Sequence, residues 1–183
     1  NDAKLYDSSF GWRFINPKME ERYGTHAMGE TAENLVEEFG ISREDQDQFA
    51  YWSQMKATKA RDNGRLAEEI TPIEIPRRKK DPITFDTDEF IKDFTTPEGL
   101  AKLTPAFKKE EEGGTVTAGN ASGLNDGAGA LLVASESAVE QYDLDPLARI
   151  VSSGVRGVEP RIMGIGPVHA SRLALERAEL SLD

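Results

Sequence analysis

The segment Gly113–Gly129, with the sequence GGTVTAGNASGLNDGAG, constrains the fold of this chain more than any other. It opens with the β-branched residues Thr115, Val116 and Thr117, which favour a strand, and continues in side chains that are nearly all small. Glycine and asparagine tolerate backbone angles that other residues avoid. The segment therefore predicts a tight bend that another backbone or a bound ligand approaches closely. A structural crossing in a sheet protein and a ligand-binding loop both fit this pattern.

Two helices are predicted before the bend. Apolar residues at helical spacing indicate one helix over residues 30–39. Ser42 is followed three residues later by an acidic residue, which indicates the cap of a second helix over residues 43–63. On that second helix, Phe49 and Trp52 are predicted to share a buried stripe.

The chain also contains strand-like runs. Ile70–Ile75 is predicted to lie at a sheet edge or bulge, because Pro72 cannot donate a ladder hydrogen bond. Gly129–Ala134 is an apolar run typical of a central buried strand, and a further strand is expected over residues 148–152. A central strand needs neighbours on both sides, and the residues after Leu124 supply only about two strands. We therefore expect the natural folding unit to be larger than this chain.

Short helices and loops complete the pattern. A serine or a proline at a typical start position predicts three helices, which begin at Thr96-Pro97, Ser135 and Gly166-Pro167. Loops are predicted at Asn16-Pro17 and Asp81-Pro82, and Lys108–Gly114 is predicted to be a charged linker. The strand–helix–strand–helix order in roughly the last 60 residues indicates a layered α/β fold.

Composition limits the partners and the chemistry. The chain has 183 residues, a net charge of −11 and no cysteine. The acidic balance argues against nucleic acid and anionic membranes as partners, and no apolar run is long enough to span a bilayer. Without cysteine, these residues form no disulfide, no cysteine–zinc site and no thiol nucleophile. Neither His26 nor His169 has a second His or Cys at ligand spacing, so no metal site is predicted, and cytoplasm is the expected compartment.

Several segments of the chain closely resemble the thiolase family. They are Gly113–Gly129, the run Met163–Pro167, and two stretches near the start, Phe10–Pro17 and Met28–Asn34. The sequence Gly-Trp-Arg-Phe in the first of those stretches is most similar to degradative thiolases of aromatic catabolism, which cleave 3-oxoadipyl-CoA and related acids. The resemblance implies a layered α/β fold with an inserted α+β loop domain, which forms a lid over coenzyme A.

The resemblance also implies a domain organisation. Residues 1–123 would form the loop domain, 124–145 would return to the N-terminal thiolase domain, and 146–183 would start the C-terminal domain. Thiolases use a cysteine nucleophile near the start of a subunit roughly twice this length, with an Asn, a His and a second Cys near its end. We therefore expect this chain to be an internal part of a thiolase, with no catalytic residue of its own.

The resemblance implies that five residues lie along the pantetheine arm or the acyl chain of a bound acyl-CoA. Met19 and Met28 would line the pantetheine and acyl channel, and Phe107 would pack on the pantetheine. Ala118 would permit close approach of the backbone, and Ser122 would offer its hydroxyl to a pantetheine amide. Ordinary core packing is the alternative for the methionines and for Phe107.

At the nucleotide end of coenzyme A, the resemblance implies that Lys92 faces the phosphates. Relatives often carry arginine there, and an ammonium keeps the charge but loses the bidentate fork of a guanidinium. The run Arg77–Lys80 is the densest basic island and a second candidate for the phosphates, although such runs are usually solvated loops.

The implied function is that of an acyltransferase that moves an acetyl unit between 3-oxoacyl-CoA and coenzyme A. Coenzyme A would be a substrate, with no tightly bound cofactor, and the complete protein would be a homodimer or homotetramer. The chain alone is predicted to be inactive. A biosynthetic acetoacetyl-CoA thiolase and a non-catalytic module for coenzyme A binding or assembly are the alternatives.

Overall fold

The computed structural model of the chain describes residues 5–6 and 11–182, so Phe10 lies outside the described residues. The helices in this part of the chain are Pro17–Tyr23 (α1), Met28–Phe39 (α2), Arg43–Asp62 (α3), Pro97–Ala101 (α4), Glu136–Tyr142 (α5) and Gly166–Ala178 (α6). The strands are Ile73–Arg77 (β1) and Lys80–Phe85 (β2), and short 3₁₀ helices cover Glu110–Glu112 and Pro160–Ile165. Contacts divide the chain into two units: Val36–Gly123, and the residues up to Leu35 together with those from Leu124 onward.

Side-chain caps fix the starts of three helices. The hydroxyls of Ser42, Thr96 and Ser135 each accept a hydrogen bond from a backbone N–H three residues on, at 3.0, 3.1 and 3.2 Å. Each bond satisfies one of the backbone donors that a helix leaves unpaired at its start. Gly40 ends α2 with a φ of 64°. The predicted starts of α3, α4 and α5 and the predicted end of α2 are confirmed.

The prediction of a loop at Asn16-Pro17 is wrong, because these residues begin α1. The side-chain oxygen of Asn16 accepts the N–H of Lys18 at 2.9 Å. Pro17 occupies the first turn of the helix, where its missing N–H removes a donor that would have no partner in the helix. The same residue pair that favours a turn thus also starts a helix.

β1 and β2 form a two-stranded antiparallel hairpin. Ile73 lies opposite Phe85, and the register shifts between Ile75 and Arg77. The predicted loop at Asp81-Pro82 is wrong, because both residues lie within β2. Each strand of a two-stranded sheet has one unpaired edge, and a proline is tolerated where its missing N–H faces that edge.

The prediction of a buried central strand at Gly129–Ala134 is wrong for the described residues. This segment and residues 148–152 form no strand, and Leu131, Leu132 and Val133 are 96%, 82% and 76% exposed. An apolar run becomes a buried strand only where other strands pair with it and another layer covers it. In the part of the chain that the structure describes, no strand pairs with this segment. The apolar run therefore stays exposed instead of forming the predicted buried strand.

The end of the predicted strand over residues 148–152 and the residues just after it pack directly on α6. Ser152 Oγ donates to the carbonyl of Ala174 at 2.6 Å. Gly154 lies so close to the helix that an added Cβ would come within 2.2 Å of the carbonyl oxygen of Ala170. The absence of a side chain at residue 154 therefore allows this backbone to touch the helix.

The buried stripe predicted for α3 is also wrong. Phe49 and Trp52 are exposed, and the buried residue of this helix is Asp47. The reason is that the inner face of α3 makes polar contacts, which are described below. Neither α3 nor any other helix within residues 5–6 and 11–182 is long and apolar enough to cross a membrane.

Candidate functional site

The predicted bend is a turn built around Thr117. This residue is 0% exposed, and its Oγ1 accepts hydrogen bonds from the N–H groups of Gly119 and Asn120 at 3.1 and 3.3 Å. Thr117 N donates in return to Asn120 Oδ1 at 2.7 Å. Pro105 forms an isolated antiparallel bridge with Thr117. The turn therefore satisfies buried backbone groups with its own side chains.

Asn120 connects this turn to α3. Its Nδ2 donates to Asp47 Oδ1 at 2.9 Å and to the carbonyl of Thr115 at 3.1 Å. Asp47 is 7% exposed, and its Oδ2 accepts the Nε–H of Arg43 at 2.9 Å. The buried carboxylate is paired on both oxygens, which offsets the cost of burying its charge. Arg43, Asp47, Thr117 and Asn120 are called the turn network below.

Arg43 extends the turn network to α4. Its Nη2 donates to the carbonyls of Leu100 and Leu103, both at 2.9 Å. The same two leucines lie against Gly119, where an added Cβ would come within 2.4 Å of Leu103 Cδ1 and 2.6 Å of Leu100 Cδ2. Any other residue at this position would displace a leucine side chain. The turn is therefore held by close packing as well as by hydrogen bonds.

One face of α3 makes polar contacts along most of its length. Asp47, Gln54 and Arg61 follow one another at intervals of seven residues, which places them on the same face. Asp47 belongs to the turn network. Gln54 Oε1 accepts the N–H of Lys92 at 2.8 Å. Arg61 Nη2 donates to Asp93 Oδ2 at 3.0 Å. Seven residues of helix span about 10 Å. A single helix thus positions both the turn and the loop that carries Lys92.

Lys92 presents its ammonium on the surface of this loop. Its Nζ lies 4.6 Å from the centre of the Phe90 ring, which is a cation–π distance. The loop is anchored by Arg61, and hydrogen bonds to Asp62 and Asp93 raise the pKa of that guanidinium above its ordinary value. The anchor therefore stays charged at every physiological pH.

Phe107, Ala118 and Ser122 lie on the outer side of the same unit. Ala118 and Ser122 are exposed, and Phe107 is 41% exposed. The N–H of Ala106 donates to the carbonyl of Val116 at 2.8 Å. This backbone bond joins the residue before Phe107 to Val116, two residues before Ala118.

The basic island Arg77–Lys80 forms the turn of the hairpin. All four residues are exposed, and Lys79 has a φ of 58°, which is unusual for a side chain larger than that of asparagine. Arg77 Nε donates to the carbonyl of Asp81 at 2.8 Å. The basic island is therefore a solvent-exposed hairpin turn, in which the Arg77 side chain is hydrogen-bonded to the backbone of the hairpin.

A cavity of about 460 Å³ lies in the other unit. It is lined by residues before α1 and at the start of α2: Gly11, Trp12, Arg13, His26, Ala27 and Met28. Its volume falls within the usual range for small-molecule sites. Glu30, in the first turn of α2, accepts the N–H of Ala27 and so fixes one wall. Of the two methionines predicted to line a channel, Met28 therefore borders a cavity.

A second cavity of about 280 Å³ adjoins the first. Both are lined by Trp12, His26 and Met28, and the second also reaches Arg161. Asn34 Nδ2 donates to the carbonyl of Arg161 at 2.8 Å and holds this wall against α2. Met19, the other predicted methionine, lies on α1 outside the lining of both cavities.

The predicted site residues fall into both units. Lys92, Phe107, Ala118 and Ser122 belong to Val36–Gly123, whereas the two methionines belong to the other unit. His169 is exposed in the first turn of α6. Among residues 5–6 and 11–182, no three His, Asp or Glu side chains are grouped to hold a metal ion.

Sequence reasoning missed the residues that position the turn. The seven-residue spacing of Asp47, Gln54 and Arg61 is visible in the sequence, and polar residues at that spacing share one helix face. Nothing in the sequence shows which partners they reach. The sequence pointed to Trp12 and Arg13 only through the family resemblance. No short stretch of sequence indicates a cavity wall that two separate segments form together.

Comparison with known proteins agrees with the resemblance. The family model described as "Thiolase, N-terminal domain" matches residues 8–137. The chain is 53% identical over 180 residues to the beta-ketoadipyl-CoA thiolase of Acinetobacter baylyi, covering 98% of this chain and 44% of that protein. It is 49% identical over 180 residues to the 3-oxoadipyl-CoA/3-oxo-5,6-dehydrosuberyl-CoA thiolase of Escherichia coli, with the same coverage. The chain therefore spans less than half the length of these curated relatives.

A solved structure gives the same result for the fold. The acetyl-CoA acetyltransferase of Bacillus anthracis superposes with a TM-score of 0.80 at 49% identity, covering 86% of this chain and 39% of that one. The predicted thiolase-like α/β fold class is confirmed by this neighbour and by the family model. Because that model covers more than half of the residues, this chain belongs to the thiolase family.

Proposed function

We propose that these residues form the coenzyme A-binding loop domain and part of the scaffold of a thiolase that cleaves 3-oxoadipyl-CoA or a similar 3-oxoacyl-CoA. The observation that carries this proposal is the 53% identity over 98% of the chain to a relative named beta-ketoadipyl-CoA thiolase. Residues 1–123 would be the loop domain, 124–145 the return to the N-terminal domain and 146–183 the start of the C-terminal domain.

In the complete subunit, a cysteine thiolate outside these residues would attack the keto carbon of the substrate. The bond between that carbon and the α-carbon breaks, and the two-carbon fragment takes up a proton and leaves as acetyl-CoA. The remaining acyl group stays on the enzyme as a thioester. The thiol of a second coenzyme A then releases it as a shortened acyl-CoA, which for 3-oxoadipyl-CoA is succinyl-CoA. Donors on the protein would stabilise the oxyanions that form in both steps.

The part of this chain would be to hold coenzyme A in place. Lys92 would face the phosphates, and Phe107, Ala118 and Ser122 would contact the pantetheine arm. Met19 and Met28 would line the pantetheine and acyl channel. The geometry supports this role, since Ala118 and Ser122 are exposed on a turn whose inner residues are bonded to α3. A turn held in this way loses little conformational freedom when a ligand binds.

The complete protein would work in the cytoplasm as a homodimer or homotetramer. Coenzyme A and acyl-CoA would be its partners, and neither nucleic acid nor membrane would take part. The net charge of −11 supports the exclusion of nucleic acid.

The test is an acetyl-CoA assay by chromatography with 3-oxoadipyl-CoA and coenzyme A. The complete subunit is expected to turn over, and its variants Lys92→Gln and Ser122→Ala are expected to raise the KM for coenzyme A by about 3- to 10-fold, the loss of one hydrogen bond each. The 183-residue chain alone is expected to be inactive, because it has no cysteine. Turnover by the chain alone, or an unchanged KM in both variants, would contradict the proposal.

A biosynthetic acetoacetyl-CoA thiolase is a second candidate, supported by the similarity to the acetyl-CoA acetyltransferase of Bacillus anthracis. The two are distinguished by substrate preference. A kcat/KM for acetoacetyl-CoA well above that for 3-oxoadipyl-CoA would favour the biosynthetic enzyme. A complete subunit that binds coenzyme A but turns over neither substrate would instead be a non-catalytic module.

A further inference from the structure

The β1–β2 hairpin has one polar face and one apolar face. Side chains alternate between the two faces of a strand, and the register places four apolar residues on the same face. They are Ile73 with Phe85, and Ile75 with Ile83. The pair between them, Glu74 and Thr84, lies on the other face, where Thr84 Oγ1 donates to Glu74 Oε1. The hairpin is therefore amphipathic.

The apolar face of this hairpin is uncovered in the part of the chain that the structure describes. Every residue of β1 and β2 is exposed, and the four apolar side chains are 43–61% exposed. A two-stranded hairpin alone is at best marginally stable in water, and packing on a further surface stabilises it. We therefore expect another surface to cover this face in the complete protein.

The edges of the hairpin are poorly suited to bind that surface. Pro76 lies in β1 and Pro82 lies in β2. A proline has no N–H to donate to a further strand, and prolines on sheet edges disfavour the addition of a strand. The apolar face, and not an edge, is therefore the surface that packs.

Charges of opposite sign lie at the two ends of the hairpin. The turn carries the four cations of Arg77–Lys80, followed by one acid, Asp81. The open end carries three exposed acidic residues after β2, which are Asp86, Asp88 and Glu89. A matching partner therefore has an apolar strip with one acidic end and one basic end, and the hairpin of a second copy has this pattern.

We propose that the apolar face of the hairpin binds the same face of a second copy of this chain, about a two-fold axis perpendicular to the strands. The proposal rests on the homo-oligomer of the proposed function and names a surface that joins its copies. Such an axis places the turn of each hairpin opposite the open end of the other, so that basic and acidic ends meet. An axis along the strands would instead bring the two basic turns together, and they would repel each other.

The spacing of the charges fits this arrangement. Glu74 and Thr84 mark the centre of the apolar face. Lys79 lies five residues from Glu74 toward the turn, and Glu89 lies five residues from Thr84 toward the open end. The two-fold axis exchanges these two directions, so Lys79 of one copy lies level with Glu89 of the other. These two residues are therefore the pair in which to test the orientation.

The experiment measures the molar mass of the complete subunit by sedimentation velocity at several protein concentrations. Four apolar side chains per copy make a small interface, so one buried charge is expected to break it. Ile83→Lys is therefore expected to halve the molar mass relative to the wild type at the same concentration. Arg172→Glu is the control, because Arg172 is exposed on α6 in the other unit, and its mass is expected to equal that of the wild type.

A charge exchange tests the orientation of the two copies. Lys79→Glu alone and Glu89→Lys alone are each expected to weaken the association by about 5- to 30-fold, because each reverses two symmetric charge pairs. The double variant restores opposite charges in both pairs, so its association constant is expected to return to near that of the wild type.

Three results would overturn the proposal. A wild type that stays monomeric, or an unchanged mass in Ile83→Lys, would mean that no second copy covers the face. A lower urea midpoint in that variant would then assign the face to the rest of the subunit. A double variant that associates no better than the single ones would contradict the two-fold packing. Turnover of 3-oxoadipyl-CoA is measured separately, so its absence in the wild type would refute the proposed catalytic function and leave the mass result standing.

Discussion

The two units of the chain rely on different kinds of contact. In Val36–Gly123, the inner face of α3 is polar, and a buried carboxylate at Asp47 joins the helix to the turn. In the other unit, the apolar segment Gly129–Ala134 is exposed among the described residues. The first unit therefore pairs the buried carboxylate of Asp47 within the chain, whereas the second leaves an apolar run with a strand-like sequence uncovered.

This difference bears on what each unit needs in order to be stable. Hydrogen-bonded networks depend on a few residues in fixed geometry, so a single substitution disrupts them and the turn they hold. Apolar strands depend instead on the area that neighbouring strands cover. In the complete thiolase proposed above, the rest of the subunit would supply those neighbours. The turn of the first unit, by contrast, would already have its final shape in this chain.

The largest expected effect comes from removing the carboxylate at the centre of the turn network. Asp47→Ala leaves Arg43 and Asn120 without their shared acceptor, and we expect it to lower the free energy of unfolding by about 3 kcal/mol. This is the low end of the range for broken buried pairs, because the Arg43 side chain is 21% exposed. Urea unfolding of the complete subunit measures the loss, and hydrogen–deuterium exchange of residues 113–123 locates it.

Asp47→Asn is the matched control for that change. An asparagine has the same shape and keeps one oxygen acceptor, so the loss is expected to be smaller than for Asp47→Ala. Unchanged hydrogen exchange of the turn in Asp47→Ala would mean that packing alone holds the turn. The contrast between the two units would then lose its basis.

The next effect tests packing at the turn. Gly119→Ala places a Cβ within 2.4 Å of Leu103 and 2.6 Å of Leu100, and we expect it to cost about 1–3 kcal/mol of unfolding free energy. Gly127→Ala is the control, because its Cβ would meet nothing within 4 Å and its φ is not in the left-handed region. We expect no loss of stability there. Equal losses at both positions would show that contact with the leucines does not decide the cost.

The sequence was sufficient wherever one short segment decides the structure. The caps at Ser42, Thr96 and Ser135 were predicted correctly, because each bond joins residues only three positions apart. The bend near Thr117 was predicted for the same reason. Family resemblance added the fold class, which the comparisons confirmed.

Burial was predicted poorly, because it depends on residues far apart in the sequence. The apolar run Gly129–Ala134 looks like a buried strand in isolation, yet its environment is set by strands elsewhere. Conversely, Asn120, the partner of Asp47 at the turn, lies 73 residues away along the chain. The cavity at Arg13 and His26 likewise brings together two segments that carry no joint signal. The roles of the six coenzyme A-binding residues stay predictions.

The smallest expected effect concerns the outer face of α3. Phe49 is 73% exposed, so Phe49→Ala is expected to change the free energy of unfolding by no more than about 0.5 kcal/mol. A phenylalanine in a buried stripe would instead cost about 3–5 kcal/mol when truncated. Urea unfolding of the complete subunit separates these values easily. A loss of several kcal/mol would mean that another surface covers this face in the complete protein, and the polar inner face of α3 would then be only one of its two packed sides.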